Sequence, residues 1–229
     1  MRLYQMDVTQ TDCPHVKTSS KFPSIYIIIM NTQFRANYQN MFTIFYSYDP
    51  VELEKGIDYF TTRERVQDFE LISKRDNIIS TYYKYTTTSL FKTIREVGFR
   101  LHPMIVHKGI ERWYFISEED REVTEDSIND DNTVVVSLSK MDTKDFLERY
   151  LTGLYSLSFI DVLSDMEESD RQILKNALVS GYFDRPRKIG LTELGKNLRM
   201  PKSTLSYHVR KIERKIAEIL GGDNNSTIL

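Results

Sequence analysis

Residues 169–220 read SDRQILKNALVSGYFDRPRKIGLTELGKNLRMPKSTLSYHVRKIERKIAEIL. In this stretch, apolar residues recur at the three- and four-residue spacing that places them on one face of a helix, and short breakers divide them into three runs. The three apolar stripes are Ile173, Leu174, Ala177, Leu178 and Gly181; Leu191, Leu194 and Leu198; and Leu205, Val209, Ile212, Ile216 and Ile219. The spacing predicts three helices that bury these stripes against one another.

The third run is the longest, and its stripe predicts a helix of about 18 residues from the region of Pro201 to Leu220. Pro201 suits the first turn, because the amide that proline lacks would have no helical partner there. The second run carries Gly195 at a place where a crossing helix would come close. Two helices joined by a short turn, with a third before them, make a helix-turn-helix unit.

The outward face of the third helix is hydroxyl, aromatic and cationic. A step of 100° per residue from the buried stripe puts Ser203, Tyr207, Arg210 and Arg214 on the opposite side, flanked by Ser206 and Lys211. A helix in a DNA major groove needs short hydrogen-bonding side chains near its N-terminus and Arg or Lys further along. The alternative is a solvated face on an ordinary bundle helix.

The distribution of charge favours the DNA-binding alternative. From Arg171 to Lys215 the chain has 12 Lys and Arg residues against Asp184, Glu193 and Glu213, a net charge of +9. The whole chain has a net charge of −2, so the remainder carries −11. Positive charge concentrated in one small helical unit is typical of a site for a polyanion.

Two segments within this unit resemble a known family. They are residues 181–187, GYFDRPR, and residues 203–215, STLSYHVRKIERK. In this order and at this distance they resemble the bacterio-opsin activator type of archaeal helix-turn-helix regulators. The resemblance covers about 50 residues and implies a DNA-binding transcription regulator in the cytoplasm of an archaeon.

Three residues depart from the family pattern. Gly195 stands where Ala is usual, Arg199 where the turn between the helices has Gly, and Pro201 where a capping Ser is usual. If residue 199 has a positive φ, Arg costs up to about 1 kcal/mol there relative to Gly.

The predicted DNA contacts fall into two groups. Side chains on the outward face near the start of the third helix are predicted to read base edges, and basic clusters around the second and third helices to bind phosphates. The predicted base-reading residues are Ser203, Ser206, Tyr207 and Arg210. The predicted phosphate-binding residues are Arg185, Arg187, Lys188, Lys202, Thr204, Lys211 and Arg214. His208 is expected to be partly buried and to bond a neighbouring carbonyl or a phosphate.

Patterns for catalysis, cofactors and metals are weak. Cys13 lies close to His15, and His102 lies five residues before His107, but neither spacing matches a zinc signature. A phosphate-binding glycine loop, a nucleophile elbow and a paired acid motif are all lacking. We therefore predict no catalytic residue, no metal, no cofactor and no enzymatic activity. The longest apolar run, residues 25–30, is too short for a membrane span, so no membrane is expected and the predicted location is cytoplasmic.

The N-terminal two-thirds predicts an α+β domain. From residue 41 to 107 the predicted order is β-α-β-β-α-β, the ferredoxin-like order with helices on one face of a sheet. In it Asp49 caps a helix that begins at Pro50, and Gly98 ends a second helix. Further strands are predicted at residues 110–116 and 133–139. The acidic segment 118–131 predicts a solvated loop, with a divalent-cation site or a sheath that repels DNA as alternatives.

A helix from Phe146 to Leu157 is predicted to lead into the DNA-binding unit. Its apolar stripe is typical of core, but Leu147, Leu151 and Leu154 could instead form a dimer seam, since helix-turn-helix proteins commonly read two-fold sites. The predicted domains are residues 1–140 for sensing or dimerisation, a connecting helix at 141–164, the DNA-binding domain at 165–220 and a mobile tail at 221–229.

The prediction is thus a homodimeric transcription regulator that binds duplex DNA through the helix at 203–220. One competing function is a protein-interaction module that docks on the transcription machinery. Another is the DNA-targeting domain of a recombinase-like enzyme. The sequence also leaves open a small-molecule effector of the N-terminal domain.

Overall fold

The chain folds as two compact units, residues 1–152 and 153–229. A computed structural model describes residues 1–35, 37–117, 123–150 and 166–221, with side chains described as far as residue 217. The finer predicted boundaries at residues 140, 164 and 220 stay predictions. The predicted tail lies outside the described residues apart from its first residue.

The N-terminal unit is a mixed strand and helix domain. Its elements are β1 (Arg2–Gln10), α1 (Pro14–Lys21), β2 (Ile25–Phe34), β3 (Tyr38–Ser47), α2 (Pro50–Thr61), β4 (Val66–Arg75), β5 (Ile78–Thr86), α3 (Ser89–Val97), β6 (Gly98–His107), β7 (Ile110–Ser117), α4 (Glu125–Ile128) and β8 (Thr133–Met141). The predicted β-α-β-β-α-β order is confirmed, as β3-α2-β4-β5-α3-β6. Strand β1 and helix α1 were not predicted.

All eight strands form one antiparallel sheet in the order β4-β5-β3-β2-β6-β7-β1-β8. Strand β2 lies between β3 and β6, so the last strand of the predicted four-strand unit does not pair with the first, as it would in a ferredoxin-like sheet. Strand β1 pairs with β7 on one side and β8 on the other. The first strand of the chain therefore lies among the last ones.

One face of this sheet carries the core of the N-terminal unit. Side chains alternate across a strand, so every second residue points to the helices, as Met6, Ile27 and Phe45 do. They form one buried cluster with Phe60 of α2 and Ile94 of α3. Helices α1, α2 and α3 therefore cover the same face of the sheet.

The capping prediction for α2 is confirmed. The Asp49 carboxylate accepts hydrogen bonds from the backbone N–H of Val51 at 3.0 Å and of Glu52 at 3.1 Å, and Pro50 is the first helical residue. These bonds satisfy two of the amides that a helix start leaves without partners.

The prediction of a solvated loop at residues 118–131 is only partly correct for its described part, where the carboxylates are exposed. Residues 125–128 form α4, and Val123 and Ile128 are buried in the core of the sheet. Two apolar residues among so many carboxylates form no recognisable apolar pattern in the sequence. They are nevertheless enough to anchor the segment, because only one residue in several needs to face inward.

A further helix, α5, is described from residue 143 to 150. Phe146 and Tyr150 stack on each other and pack edge-on against Tyr114, which lies on the sheet face opposite to α1–α3. Leu147 is 47% exposed on this helix. Leu151 and Leu154, the other two residues of the predicted dimer seam, lie outside the described residues.

The C-terminal unit is all helical in its described part: α6 (Glu168–Val179), α7 (Leu191–Asn197) and α8 (Lys202–Gly221). The predicted stripes form its core, with Ile173, Ala177, Leu194, Leu205 and Ile212 buried in one cluster.

Three details of the predicted helices differ. Leu178, in the last turn of α6, is 58% exposed and so lies outside the buried stripe. Gly181 lies beyond α6 with a φ of +74°. Pro201 directly precedes α8 instead of opening it, and its carbonyl accepts the first helical bond, from Leu205 N–H at 3.0 Å.

Candidate nucleic-acid interface

Packing of α8 fixes which of its faces is exposed. Leu205, Val209 and Ile212 are buried, so the helix cannot rotate without opening the core. The residues predicted to face outward, Ser203, Tyr207, Arg210 and Arg214, are all exposed, and Tyr207 is 66% exposed. Lys202 and Thr204 are exposed beside them, whereas Ser206 and Lys211 are half-buried.

The turn before α8 is tight, and this explains why Gly195 replaces the usual Ala but not why Arg199 replaces Gly. Arg199 has a φ of +54°, in the left-handed region, and Met200 N–H donates to the Gly195 carbonyl at 2.8 Å. A Cβ atom on Gly195 would lie 2.9 Å from the Met200 carbonyl oxygen. Alanine at residue 195 would therefore force the turn to shift.

The loop between α6 and α7 presents the other basic cluster. The Gly181 carbonyl accepts hydrogen bonds from Asp184 N–H at 3.2 Å and Lys188 N–H at 3.1 Å, which closes the loop on itself. The buried ring of Tyr182 supports the guanidinium of Arg187, whose Cζ lies 4.7 Å from the ring centroid. Arg185, Arg187 and Lys188 are exposed as a result.

A buried carboxylate lies on the inner side of this unit. Asp170, which is 0% exposed, accepts a bond from His208 Nδ1 at 2.6 Å through Oδ1, and its Oδ2 lies 2.8 Å from Lys211 Nζ. Lys211 also contacts Glu167 at 2.8 Å. Burial acts to raise the pKa of Asp170, but the contacts with Lys211 and His208 outweigh it, and the pKa is lowered. The two carboxylates raise the pKa of Lys211.

This cluster changes how two predicted residues are understood. His208 is partly buried as expected, but it bonds the Asp170 carboxylate instead of a carbonyl or phosphate. Lys211 is held by two carboxylates within the unit, so its predicted phosphate contact would compete with them and stays a prediction. Asp170 itself was missed, because it lies one residue before the basic stretch and only the packing of α6 on α8 brings it to His208.

Several basic side chains on the outer surface have no carboxylate partner among the described residues. Lys188 pairs with Asp184 at 2.8 Å, with both side chains largely exposed. Among the residues that the structure describes, no carboxylate forms an ion pair with Arg185, Arg187, Lys202 or Arg210, nor with Lys196 or Arg199 near the turn. The one buried carboxylate of the unit, Asp170, is thus neutralised from within among the described residues, and the outer side of α8 and its flanking loops has more cations than carboxylates.

Family comparisons agree with this division of the chain. The HVO_2525_N model, an N-terminal family domain, matches residues 3–134, more than half of the chain. The chain belongs to the HVO_2525_N family. Residues 167–218 match a second model, HTH_10, described as an HTH DNA binding domain.

The C-terminal unit of this HVO_2525_N family member is therefore a helix-turn-helix DNA-binding domain of the bacterio-opsin activator type, as the sequence resemblance implied. The chain is a DNA-binding regulator, and domains of this type are typically not enzymes. No curated protein and no solved structure matches the chain. Within the described residues, no helix has the length and apolar character needed to cross a membrane.

Proposed function

We propose that this protein is a sequence-specific transcription regulator that places α8 in the major groove of duplex DNA. The observation that carries the proposal is the charge division of the C-terminal unit. Its buried carboxylate is neutralised from inside by Lys211, while Lys202 and Arg210 face outward with no acidic partner among the described residues. Such a surface attracts a polyanion, and binding releases to solution the counterions that the polyanion holds.

The first two turns of α8 supply the proposed base contacts. Ser203 and Ser206 offer short hydroxyl groups, and Tyr207 and Arg210 offer longer donors on the same exposed side. Arginine suits a guanine edge because its planar fork can donate two parallel hydrogen bonds. These side chains precede the middle of α8, where a recognition helix meets base edges.

Phosphate contacts are proposed on both sides of this groove-facing turn. Lys202, Thr204 and Arg214 are exposed on α8, and Arg185, Arg187 and Lys188 extend from the α6–α7 loop. Contacts with phosphate set the register of the helix without reading sequence.

Dimer formation remains part of the proposal. One recognition helix reads too few base pairs to select a site, whereas a two-fold dimer places two helices about 34 Å apart, one DNA turn. The exposed Leu147 leaves one side of α5 available for a partner copy, while Phe146 and Tyr150 hold the other side on the sheet. Leu147→Glu combined with Leu151→Glu should give folded monomers in sedimentation that bind DNA weakly. If the double variant is unfolded instead, this helix belongs to the core and is not a dimer interface.

Binding of the full chain to duplex oligonucleotides over a range of salt concentrations tests the function. We expect Tyr207→Ala or Arg210→Ala to weaken binding to a selected site by roughly 1–3 kcal/mol, with a smaller loss on random duplexes. Arg185→Gln and Arg187→Gln should weaken binding to all duplexes alike, each lowering the salt slope by about one.

Lys175→Gln is the matched control, since it removes an exposed cation from α6, away from the proposed contacts. It should leave site selection unchanged. Equal losses on selected and random DNA for Tyr207→Ala and Arg210→Ala would remove base reading from this face. Salt-sensitive binding to RNA polymerase without binding to any duplex would instead favour a protein-docking module.

A further inference from the structure

A group of three metal-ligating side chains is buried in the N-terminal unit, separate from the DNA-binding domain. Cys13 directly precedes α1, His15 lies in the first turn of that helix, and Glu111 lies near the start of β7. All three are buried. The pairing of β1 with β7 brings residues almost 100 positions apart in the chain to one point.

The distances within this group match those around a single ion. Cys13 Sγ lies 3.5 Å from His15 Nδ1 and 3.0 Å from Glu111 Oε1, and one ligand atom from each residue lies within 4.8 Å of the others. A tetrahedral zinc ion with bonds of about 2.0–2.3 Å separates its ligand atoms by about 3.3–3.6 Å. The sulfur and nitrogen are already at that separation, and the sulfur and the carboxylate oxygen would need to be about half an ångström further apart.

Surrounding side chains hold the far side of two of the three ligands. His15 Nε2 is 2.6 Å from the Tyr83 hydroxyl. Glu111 Oε2 accepts hydrogen bonds from Gln10 Nε2 at 2.6 Å and from Trp113 Nε1 at 3.1 Å. Partners of this kind orient metal ligands in proteins. They leave Nδ1 of the imidazole and Oε1 of the carboxylate directed at the Cys13 sulfur.

The size of the adjoining cavity decides between an ion and an organic effector. The cavity has room for about one water molecule. The cavity is lined by these three residues together with Tyr85, whose hydroxyl lies 3.3 Å from Cys13 Sγ, and by Arg100. A single atom fits this space, whereas a metabolite does not.

We propose that Cys13, His15 and Glu111 bind one divalent transition-metal ion of the zinc class. Thiolate and imidazole ligands favour such an ion over Mg²⁺ or Ca²⁺, which prefer oxygen ligands alone. The Cys13 thiol releases its proton to solvent on binding, so that the ion, the thiolate and the carboxylate are together neutral. The Tyr85 hydroxyl or one water molecule completes four-fold coordination.

The positive charge of Arg100 repels a cation in this cluster and therefore limits how tightly the cluster can bind one. This guanidinium donates hydrogen bonds to Thr32 Oγ1 at 2.7 Å and Gln39 Oε1 at 3.2 Å, and its Cζ lies 4.4 Å from the centroid of the Phe91 ring. Arg100 also lines the cavity beside the three ligand residues, so its positive charge lowers the affinity of the cluster for a cation.

Titration of the chelator-treated full chain with Co²⁺ tests this site, because a thiolate ligand gives a charge-transfer band and a tetrahedral site gives intense visible bands. We expect one Co²⁺ per chain, displaced by Zn²⁺. Cys13→Ser should abolish the charge-transfer band, and Glu111→Gln should weaken binding more than tenfold. Tyr83→Phe, which releases only the outer side of His15, should weaken it about 10–100-fold.

His107→Gln is the matched control, because His107 is a partly buried histidine of the same unit that stacks on Tyr26 outside the cluster. It should bind Co²⁺ like the unmodified chain. Circular dichroism without metal shows which variants fold. If Cys13→Ser does not fold, the Co²⁺ affinity of Tyr83→Phe still tests the site. No stoichiometric binding by the unmodified chain, or an unchanged charge-transfer band in Cys13→Ser, would overturn the proposal. DNA binding by the C-terminal unit is independent of either outcome.

Discussion

The two units satisfy their buried carboxylates in opposite ways. In the C-terminal unit, Asp170 is held by the cation of Lys211 and by His208, and its pKa is lowered even though burial alone would raise it. In the N-terminal unit, Glu111 accepts hydrogen bonds from Cys13, Gln10 and Trp113, and burial raises its pKa. One carboxylate has a cation supplied by the protein, and the other is held mainly by neutral donors.

This difference indicates which kind of charged ligand each unit can accept, and where. The C-terminal unit uses one lysine internally and leaves its other cations outside, which suits a polyanion on the surface. The N-terminal unit leaves a carboxylate, a thiol and an imidazole around one point, which suits a cation from solution. Neither conclusion depends on the other.

Removal of the Asp170 carboxylate, which breaks the ionic contacts of the C-terminal unit, should change stability the most. Asp170→Ala should lower the free energy of unfolding of the C-terminal unit by roughly 1.5–3 kcal/mol, since it removes charge-assisted bonds to His208 and Lys211. Denaturant unfolding monitored by circular dichroism measures it. Glu168→Ala, at an exposed carboxylate of the same helix, should change stability by no more than about 0.5 kcal/mol. Equal effects of the two variants on the free energy of unfolding would show that Asp170 contributes no more to stability than an exposed carboxylate does.

A change of pH tests the same contact from the protonation side. Because the pKa of Asp170 is lowered below the value of about 3.9 in an unfolded chain, its stabilisation is complete above that pH. The stabilisation is lost as the pH falls through the folded value, while the facing Lys211, whose pKa is raised, stays cationic. We expect the stability difference between the unmodified chain and Asp170→Asn to shrink between pH 5 and pH 2. A constant difference over this range would show that the charge of Asp170 is not involved.

The neutral arrangement should be much less sensitive to loss of its charge. Glu111→Gln in the presence of a chelator should cost less than about 1.5 kcal/mol, because the amide oxygen still accepts from Trp113 and only one hydrogen bond to Cys13 is rearranged. Thermal and denaturant unfolding of the metal-free chain measure this cost. A loss as large as that of Asp170→Ala would mean that Glu111 takes part in an ionic contact comparable with the Asp170–Lys211 pair.

The smallest change in stability is expected at Arg199, an exposed cation whose backbone has a positive φ. Arg199→Gly should raise stability by up to about 1 kcal/mol, because glycine adopts the φ of +54° without the steric cost that a Cβ atom imposes. Arg199→Ala removes the same charge but keeps the Cβ atom, so it should bring no such gain. If the cation serves DNA, both variants weaken duplex binding alike. A gain in stability from both variants would place the cost in charge repulsion instead of backbone conformation.

The sequence predicted the C-terminal unit well because its information is local. Each apolar stripe lies within one helix, and the exposed face of α8 follows directly from the stripe opposite to it. Contacts between helices were not predictable in the same way. The bond between Asp170 and His208 spans 38 residues and depends on how α6 packs on α8.

The N-terminal unit was predicted only in part, for two physical reasons. Helix α1 buries Thr18 and Ser19 among its few apolar residues, so it has no apolar stripe that a sequence pattern would reveal. Strand β1 has partners more than 100 residues away, and spacing along the chain carries no signal of them. The cluster of Cys13, His15 and Glu111 was missed for the same reason. Its third member is set by strand pairing alone.

The place of β1 within the sheet also determines when the domain can be completed during synthesis. Its partners β7 and β8 span residues 110–141, so the first strand leaves the ribosome with both edges unpaired and stays so until the last strands emerge. Contacts of such long sequence separation slow folding, and unpaired strand edges invite association with other chains. Nascent chains that stop before residue 110 should therefore depend on chaperones, whereas the helical C-terminal unit, with its local contacts, can fold as soon as it is made.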